Sequence, residues 1–266
     1  MLKFTANLSL LFTELELIDR FRAAKQHGFS AVEIQFPYSL SPETLQRVLQ
    51  DTGLKLVQFN IPADDLMRGG EGLSCVPHKI DLFNQALAEA MDYARLLKPE
   101  VINILAGRCF DDDHLAEYLQ TFKHNLLFAA DTFSLLNIKT VFEAINTQDM
   151  PAFLIHSGVQ MLEILAELRH PNLFMQYDIY HASKMGEDPA QFIYQHADKI
   201  GHIQFADCPN RGQPGTGQLD FSQLFNLIEQ SGYSGWLGAE YRPIGTTADS
   251  LSWFYHKILN PLLNQE

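Results

Sequence analysis

Eight times along this chain a short run rich in β-branched and aromatic residues gives way to a longer stretch with apolar residues at helical spacing. The strand-like runs lie at residues 2–7, 31–35, 54–60, 100–105, 138–143, 173–178, 200–205 and 235–240. Between them run helical patterns. The first carries Leu15, Ile18, Phe21 and Ala24 on one face with Gly28 at the capping position, and the second opens on Ser41-Pro42-Glu43. Others are expected over 78–97, 113–136, 156–169, 189–197 and 221–230, and the last over 248–263. Alternating strand and helix makes a parallel sheet, and eight such units in a chain of 266 residues match the length of one closed barrel, about 250 residues. The sequence therefore predicts an α/β fold, a single (β/α)8 TIM barrel over residues 1–266. A doubly wound open sheet is the runner-up. It would carry a glycine-rich turn after its first strand, where this chain has Asn7-Leu8-Ser9-Leu10.

Composition excludes more than it selects. The net charge of −13 argues against nucleic acid and against an anionic membrane surface, both of which call for a field of Lys and Arg. Cys75, Cys109 and Cys208 are odd in number and form no Cys-x-x-Cys pair, which fits a reducing compartment rather than a disulfide framework. No signal peptide and no membrane-spanning stretch is read, so a cytoplasmic enzyme is expected; a homo-oligomer is left open.

In a (β/α)8 barrel the chemistry lies at the C-terminal ends of the strands. Strand five ends on Glu143, strand six on Asp178 and strand eight on Glu240, and strand seven contains His202-Ile203-Gln204. Glu143, Asp178, Gln204 and Glu240 follow one another at 35, 26 and 36 residues, each close to one β/α unit, so their side chains can converge. Each taken singly reads equally well as a helix cap or a solvated loop residue. Together, three carboxylates cannot share a partly buried mouth unless they hold protons or surround a cation. Two Glu, one Asp and an amide oxygen suit a hard or borderline divalent ion, Mg2+ or Mn2+, rather than a structural zinc site.

Weaker signals surround these. His181 and Arg211 either face a substrate or are solvated loop residues, and spacing alone leans to the second. Phe12, Phe36, Tyr38 and Trp253 either wall a pocket or belong to the core. Gly215-Thr216-Gly217 is too short and too late for a nucleotide fingerprint, and nothing calls for a nucleotide cofactor.

These residues resemble the hydroxypyruvate isomerase family within the xylose-isomerase-like barrels, a family that includes 2-oxo-tetronate isomerases. The resemblance is carried by Phe4-Thr5-Ala6-Asn7-Leu8-Ser9, Ala31-Val32-Glu33 with Phe36-Pro37-Tyr38, Phe59-Asn60, Glu143-Ala144, Asp178-Ile179-Tyr180-His181, His202-Ile203-Gln204, Pro214-Gly215-Thr216-Gly217 and Gly238-Ala239-Glu240-Tyr241. It implies that Glu143 and Glu240 are the proton donor/acceptor pair and that Glu143, Asp178, Gln204 and Glu240 hold the metal. It places His181 and Arg211 among substrate contacts. The implied reaction is the interconversion of a small hydroxy-oxo acid with its aldehyde or ketone isomer through an enediolate. An anionic substrate needs a local cation, for which Arg211 is the first expectation and Lys184 and Arg242 the reserves. Rival readings are a ketose 3-epimerase, an inosose-type dehydratase, a metal-dependent endonuclease, which would need more histidines and a basic groove, and a barrel that binds a sugar acid without turning it over.

Overall fold

The computed structural model describes residues 1–259. Eight parallel strands close into one barrel in chain order, which rules out the open doubly wound sheet. They are β1 Lys3–Asn7, β2 Ala31–Ile34, β3 Lys55–Asn60, β4 Val101–Ile104, β5 Lys139–Glu143, β6 Leu173–Asp178, β7 Ile200–Phe205 and β8 Trp236–Ala239. The pairing of Thr5 with Gly238 and of Ala6 with Ala239 closes β1 onto β8. Around the sheet lie α1 Leu17–Gln26, α2 Pro42–Thr52, α3 Ile80–Leu97, α4 Leu115–Ser134, α5 Gly158–Leu168, α6 Ile179–Lys184, α7 Pro189–His196, α8 Phe221–Gln230 and α9 Ser252–Leu259.

Local chemistry sets these boundaries. α2 starts where Ser41 Oγ accepts the Thr44 N–H at 3.3 Å with Pro42 beside it, and stops at Gly53 in the left-handed region. The helix expected over 78–97 begins instead with a 3-10 turn, Pro77–Lys79, and is α-helical from Ile80. The last helix starts as a 3-10 turn at Ala248, and its expected extension to Leu263 lies outside the described residues. α6 is an element the sequence reading lacks. Its six residues are too short to display a helical period, and its N-cap is Asp178 itself, whose Oδ1 accepts the Tyr180 and His181 N–H groups at 2.7 and 3.3 Å.

Side chains alternate along each strand. One set faces the helices and is apolar. Tyr177 stacks on Phe192 of α7 with ring centroids 4.5 Å apart, and Phe205 meets Phe225 and Trp253 edge-on at 5.4 and 5.1 Å. The other set faces the barrel axis and is polar to an unusual degree for a fold whose interior usually consists of branched aliphatics. Asn7, Glu33, Asn103, Gln176, His202 and Gln204 are all buried there and bonded to one another or to the site carboxylates. Among the described residues no helix is long and apolar enough to cross a membrane.

Candidate active site

The strand ends gather the predicted residues at one mouth of the barrel. A cavity of about 480 Å³ opens there, lined by Glu143, Gln176, His181, Gln204, Arg211 and Glu240, with Gln35, Asn60, Arg108, Tyr180, Lys184 and Arg242 around it. Phe36 also lines it, whereas Phe12 and Trp253 are core. Tyr38 is directed elsewhere, its hydroxyl donating to the Asn60 carbonyl at 2.8 Å. A larger space of about 840 Å³ lies at the opposite end among the strand starts Lys3, Lys55 and Lys139, and none of the buried site carboxylates reaches it.

Glu143, Asp178 and Glu240 are only 4, 3 and 3% exposed, so their charges act on one another through little water. Burial, reinforced by Glu240 and Asp178, pushes the Glu143 carboxyl well above the usual carboxylate range. Burial also raises Asp178. Glu240 is raised to about 7 by burial, against the pull of Arg211. This is the signature of a set of acids awaiting either protons or a cation.

Part of that cation is built in. Arg211 Nη2 lies 2.5 Å from Glu240 Oε2 and 3.9 Å from Asp178 Oδ2, and the guanidinium sits over the Tyr180 ring with 5.2 Å to its centroid. Burial works against its charge, but Glu240, Asp178 and Glu143 outweigh that and hold it protonated. The loop that carries it, after β7, is fastened by Asp207. That carboxylate accepts the backbone N–H groups of Cys208, Gly215, Gly217 and Leu219 at 2.8–3.1 Å. A side chain at Gly217 would put its Cβ 2.2 Å from the Cys208 carbonyl oxygen. The Pro214-Gly215-Thr216-Gly217 run is thus a fastening for the loop. It delivers Arg211, itself at φ 59°, to the carboxylates.

Asp178 divides its two oxygens. Oδ1 caps α6, while Oδ2 is buried without a hydrogen-bond partner among the described residues. An orphaned buried carboxylate oxygen beside two raised glutamic acids fits a divalent ion. Ligand-type atoms of Glu143, Asp178 and His181 lie within 4.8 Å of one another, a grouping able to hold a metal. The leaning that His181 is a solvated loop residue is corrected: it is 4% exposed, on α6. Burial and then Arg211 drive its pKa well below the usual histidine value, so the ring is neutral. Its Nδ1 faces the Asn146 side-chain amide at 2.6 Å and the Asn146 backbone N–H at 3.4 Å. Asn146 is oriented by Asp149, whose N–H gives to Oδ1 at 2.8 Å and whose carboxylate takes from Nδ2 at 3.0 Å. With two donors on Nδ1, the ring proton belongs on Nε2, 3.7 Å from Asp178 Oδ2. In that tautomer His181 offers the site a donor rather than a lone pair.

The fourth expected ligand, Gln204, stands in the same cavity with each end of its amide bonded once, which leaves Oε1 a second lone pair. Its Oε1 accepts from Gln176 Nε2 at 2.7 Å and its Nε2 donates to Glu33 at 2.7 Å. Gln176 Nε2 also donates to Glu143 at 3.0 Å. Gln35 and Asn7 donate to Glu240 Oε1 at 2.8 and 2.9 Å, and Asn103 to Glu143 at 3.0 Å. The sequence reading gives none of these residues a supporting role, although Asn7 and Glu33 stand in the motifs that carry the resemblance. Inward strand positions occupied by Asn or Gln, against the apolar habit of such barrels, were the signal for them.

Arg108 was missed as well. Its backbone is pinned by a bridge to Phe153 and by its N–H to Glu71 O at 2.9 Å. Its guanidinium pairs with no carboxylate among the described residues, and its Nε is buried with no partner, as is that of Arg211. Of the reserves, Lys184 stands 3.7 Å from Asp149, and Arg242 is exposed at the rim.

A family model described as "Xylose isomerase-like TIM barrel" matches residues 21–257. Hydroxypyruvate isomerase of Escherichia coli is 40% identical over 253 residues, covering 95% of this chain and 98% of its own. A 2-oxo-tetronate isomerase of Pectobacterium atrosepticum is 36% identical over 251 residues, covering 94% and 96%. Among solved structures, one titled AP endonuclease, family 2, from Brucella melitensis superposes with a TM-score of 0.92 at 33% identity, covering 96% of this chain and 98% of that one. The apo form of the 3-keto-D-glucoside 4-epimerase of E. coli superposes at 0.79 with 19% identity over 95% and 98%, a likeness of fold alone.

Proposed function

The chain belongs to the xylose isomerase-like TIM barrel family, in the branch of hydroxypyruvate and 2-oxo-tetronate isomerases, and on that premise we propose that it is a metal-dependent isomerase interconverting a small hydroxy-oxo acid with its neighbouring carbonyl isomer. The observation that carries the reading is the pair Glu143 and Glu240, buried in one cavity and both held above the usual carboxylate range. A carboxyl tuned toward neutrality is suited to take a proton from carbon and to return it at working pH. In this reading one glutamate removes the proton from the carbon bearing the hydroxyl. An enediolate results, and the proton returns to the adjacent carbon that was the carbonyl. The hydroxyl proton moves to the former carbonyl oxygen, so nothing is oxidised or reduced overall. Of the two, Glu240 has the guanidinium partner and stands closer to ionisation.

Glu143, Asp178, Gln204 and Glu240 would hold the ion, Mg2+ or Mn2+ by their oxygen donors. When bound, it supplies Lewis-acid stabilisation of the charge that develops on the substrate oxygens. His181 Nε2–H is a donor to a substrate oxygen. The substrate's acid character is supported by two arginines at the same cavity, Arg211 and Arg108, whose Nε atoms are buried without partners among the described residues. Arg211 is already committed to Glu240 and Asp178, so Arg108 has the larger share of free capacity for a carboxylate.

The test is a panel of hydroxypyruvate, oxo-tetronates and neutral ketoses, each assayed after chelation and after return of Mg2+ or Mn2+, with solvent deuterium incorporation read by mass spectrometry. Metal-restored turnover of an acid with exchange at the reacting carbon is expected. Full activity in a verified metal-free preparation, or preference for neutral ketoses, overturns the reading.

A further inference from the structure

Directly beneath the site, Glu33 of β2 is buried at 0% exposure. Its Oε1 accepts from Asn7 Nδ2 at 3.0 Å and from Gln204 Nε2 at 2.7 Å, and its Oε2 faces His202 Nε2 at 2.8 Å. Room for it is made on the far side by Gly238, where a Cβ would fall 2.3 Å from Glu33 Oε2. Three residues on two strands, Asn7 of β1 with His202 and Gln204 of β7, thus surround this one carboxylate, and a third strand, β8, withdraws its side chain. A carboxylate buried at such cost has a purpose that packing alone does not supply, because an apolar side chain of similar volume fills the same space without desolvation.

The chemistry of its partners shows what it does. A primary amide has a donor end and an acceptor end, and nothing in its shape prefers one orientation. A carboxylate accepts only. Each amide beside Glu33 must turn its NH2 toward it and its carbonyl oxygen away. For Asn7 the orientation is reported independently, since its Oδ1 accepts the Ser9 backbone N–H at 3.0 Å. The same Nδ2 that meets Glu33 also donates to Glu240 at 2.9 Å. For Gln204 the consequence is that Oε1 points up into the cavity, where Gln176 Nε2 meets it on the way to Glu143.

We propose that Glu33 is a positioning residue that sets the polarity of the amides under the site: it compels Gln204 to present its oxygen, and Asn7 to present a donor to Glu240. The proposal rests on the reading of Gln204 and Glu240 as metal-site residues. His202 belongs to the same support, holding the second carboxylate oxygen so that Glu33 does not swing.

Glu33→Met tests it. The side chain keeps its length but offers no acceptor, so the NH2 groups of Asn7 and Gln204 lose the partner that turns them. A Gln at this position would be a weaker test, because its carbonyl oxygen could keep both amides while its NH2 faced His202. Two readouts are taken on the purified full chain. The first is Mn2+ affinity by titration calorimetry, without substrate. A fall of at least about tenfold is expected, the lower end of what outer-shell partners contribute to metal sites. The second is metal-free: the side-chain NH2 resonances of 15N-labelled Asn and Gln. Two slowly exchanging, shifted pairs are expected in the natural protein, and the loss of at least one in the variant. Glu33→Asp keeps an acceptor-only group one carbon shorter. It should retain the shifted NH2 pairs and bind Mn2+ more tightly than Glu33→Met, which also covers the case in which the Met variant does not fold. If the natural protein binds no Mn2+, the metal-site reading fails, and the amide resonances alone judge Glu33. Unchanged Mn2+ affinity and unchanged resonances in Glu33→Met overturn the proposal, as does an Asp variant no better than the Met one.

Discussion

Removing Arg211 should make the stability of this barrel depend on a divalent ion. Arg211→Ala takes away a guanidinium 2.5 Å from Glu240 and 3.9 Å from Asp178, in a site where both carboxylates are nearly inaccessible. Deleting one partner of a buried ion pair typically costs about 3–5 kcal/mol, because the remaining charge is left without compensation. For a chain of this size each kcal/mol corresponds to roughly 2–4 °C, so without metal the midpoint should fall by roughly 6–20 °C. The fall should be largest at pH 8. At pH 5 it should shrink, because Glu240, already raised to about 7, takes a proton in place of the guanidinium. Saturating Mn2+ should restore most of the loss, since ligand at a hundredfold excess over its Kd contributes about 2.7 kcal/mol and the variant has lost its internal competitor. The assay is thermal unfolding of both proteins at pH 5 and pH 8, in chelator and in Mn2+. Arg211→Met serves as a control that retains contact with Tyr180. A midpoint within about 2 °C of the natural protein in chelator at pH 8, on this same scale, refutes the account. So does a loss that Mn2+ leaves untouched, which would assign it to packing.

Three further outcomes follow from the same geometry. Glu143→Gln and Glu240→Gln should each lower kcat by at least about a hundredfold in steady-state assays, the lower end for general acid–base groups, and near-normal turnover in either removes that residue from the pair. Arg108→Ala should raise KM for the acid substrate by about 1.5–3 kcal/mol, the range for a charge-assisted hydrogen bond, and spare any residual activity on a neutral sugar. Equal weakening of both would assign Arg108 to shared hydroxyls. In chelator, Glu240 has a folded pKa of about 7 above its ordinary 4.5, so it stabilises the fold fully below pH 4.5 and loses that contribution as pH rises through 7. Relative to Glu240→Gln, the natural protein should therefore lose up to about 3 kcal/mol across that window, read by urea unfolding, and parallel pH profiles would contradict the assignment.

The strand–helix alternation was legible because barrel strands and outer helices differ in period, and the strand ends fell within a residue or two of their predicted places. Glu143, Asp178, Gln204 and Glu240 could be aligned for the same reason: one residue per β/α unit on successive strands. What spacing could not convey was the second partner of each group. That Asp178 caps α6 with one oxygen and leaves the other free depends on a six-residue helix with no periodic signal. Arg211 as a counterion to Glu240 depends on a loop path set by Asp207, twelve residues from the last backbone donor it holds, Leu219. Arg108 was invisible because its environment comes from Glu71 and Phe153, far away in the chain. Glu33 stood in a quoted motif but had no partner in sequence, its nearest being Asn7, His202 and Gln204 across the barrel.

The Asp207 fastening has a bearing on how this barrel can be reshaped. Every group that Asp207 holds is a backbone N–H, so the loop's path is written in the main chain and in Gly217, and owes little to the side chains it displays. Pro209, Asn210 and Arg211 project into the cavity from this fixed frame. Substitutions at Asn210, and at Arg242 whose backbone N–H is tied to the Arg211 carbonyl at 2.7 Å, can alter the pocket wall while the frame keeps its course. Libraries built to move this enzyme toward larger sugar acids belong at those two positions. Asp207 and Gly217 should be kept, since losing either unties several donors at once.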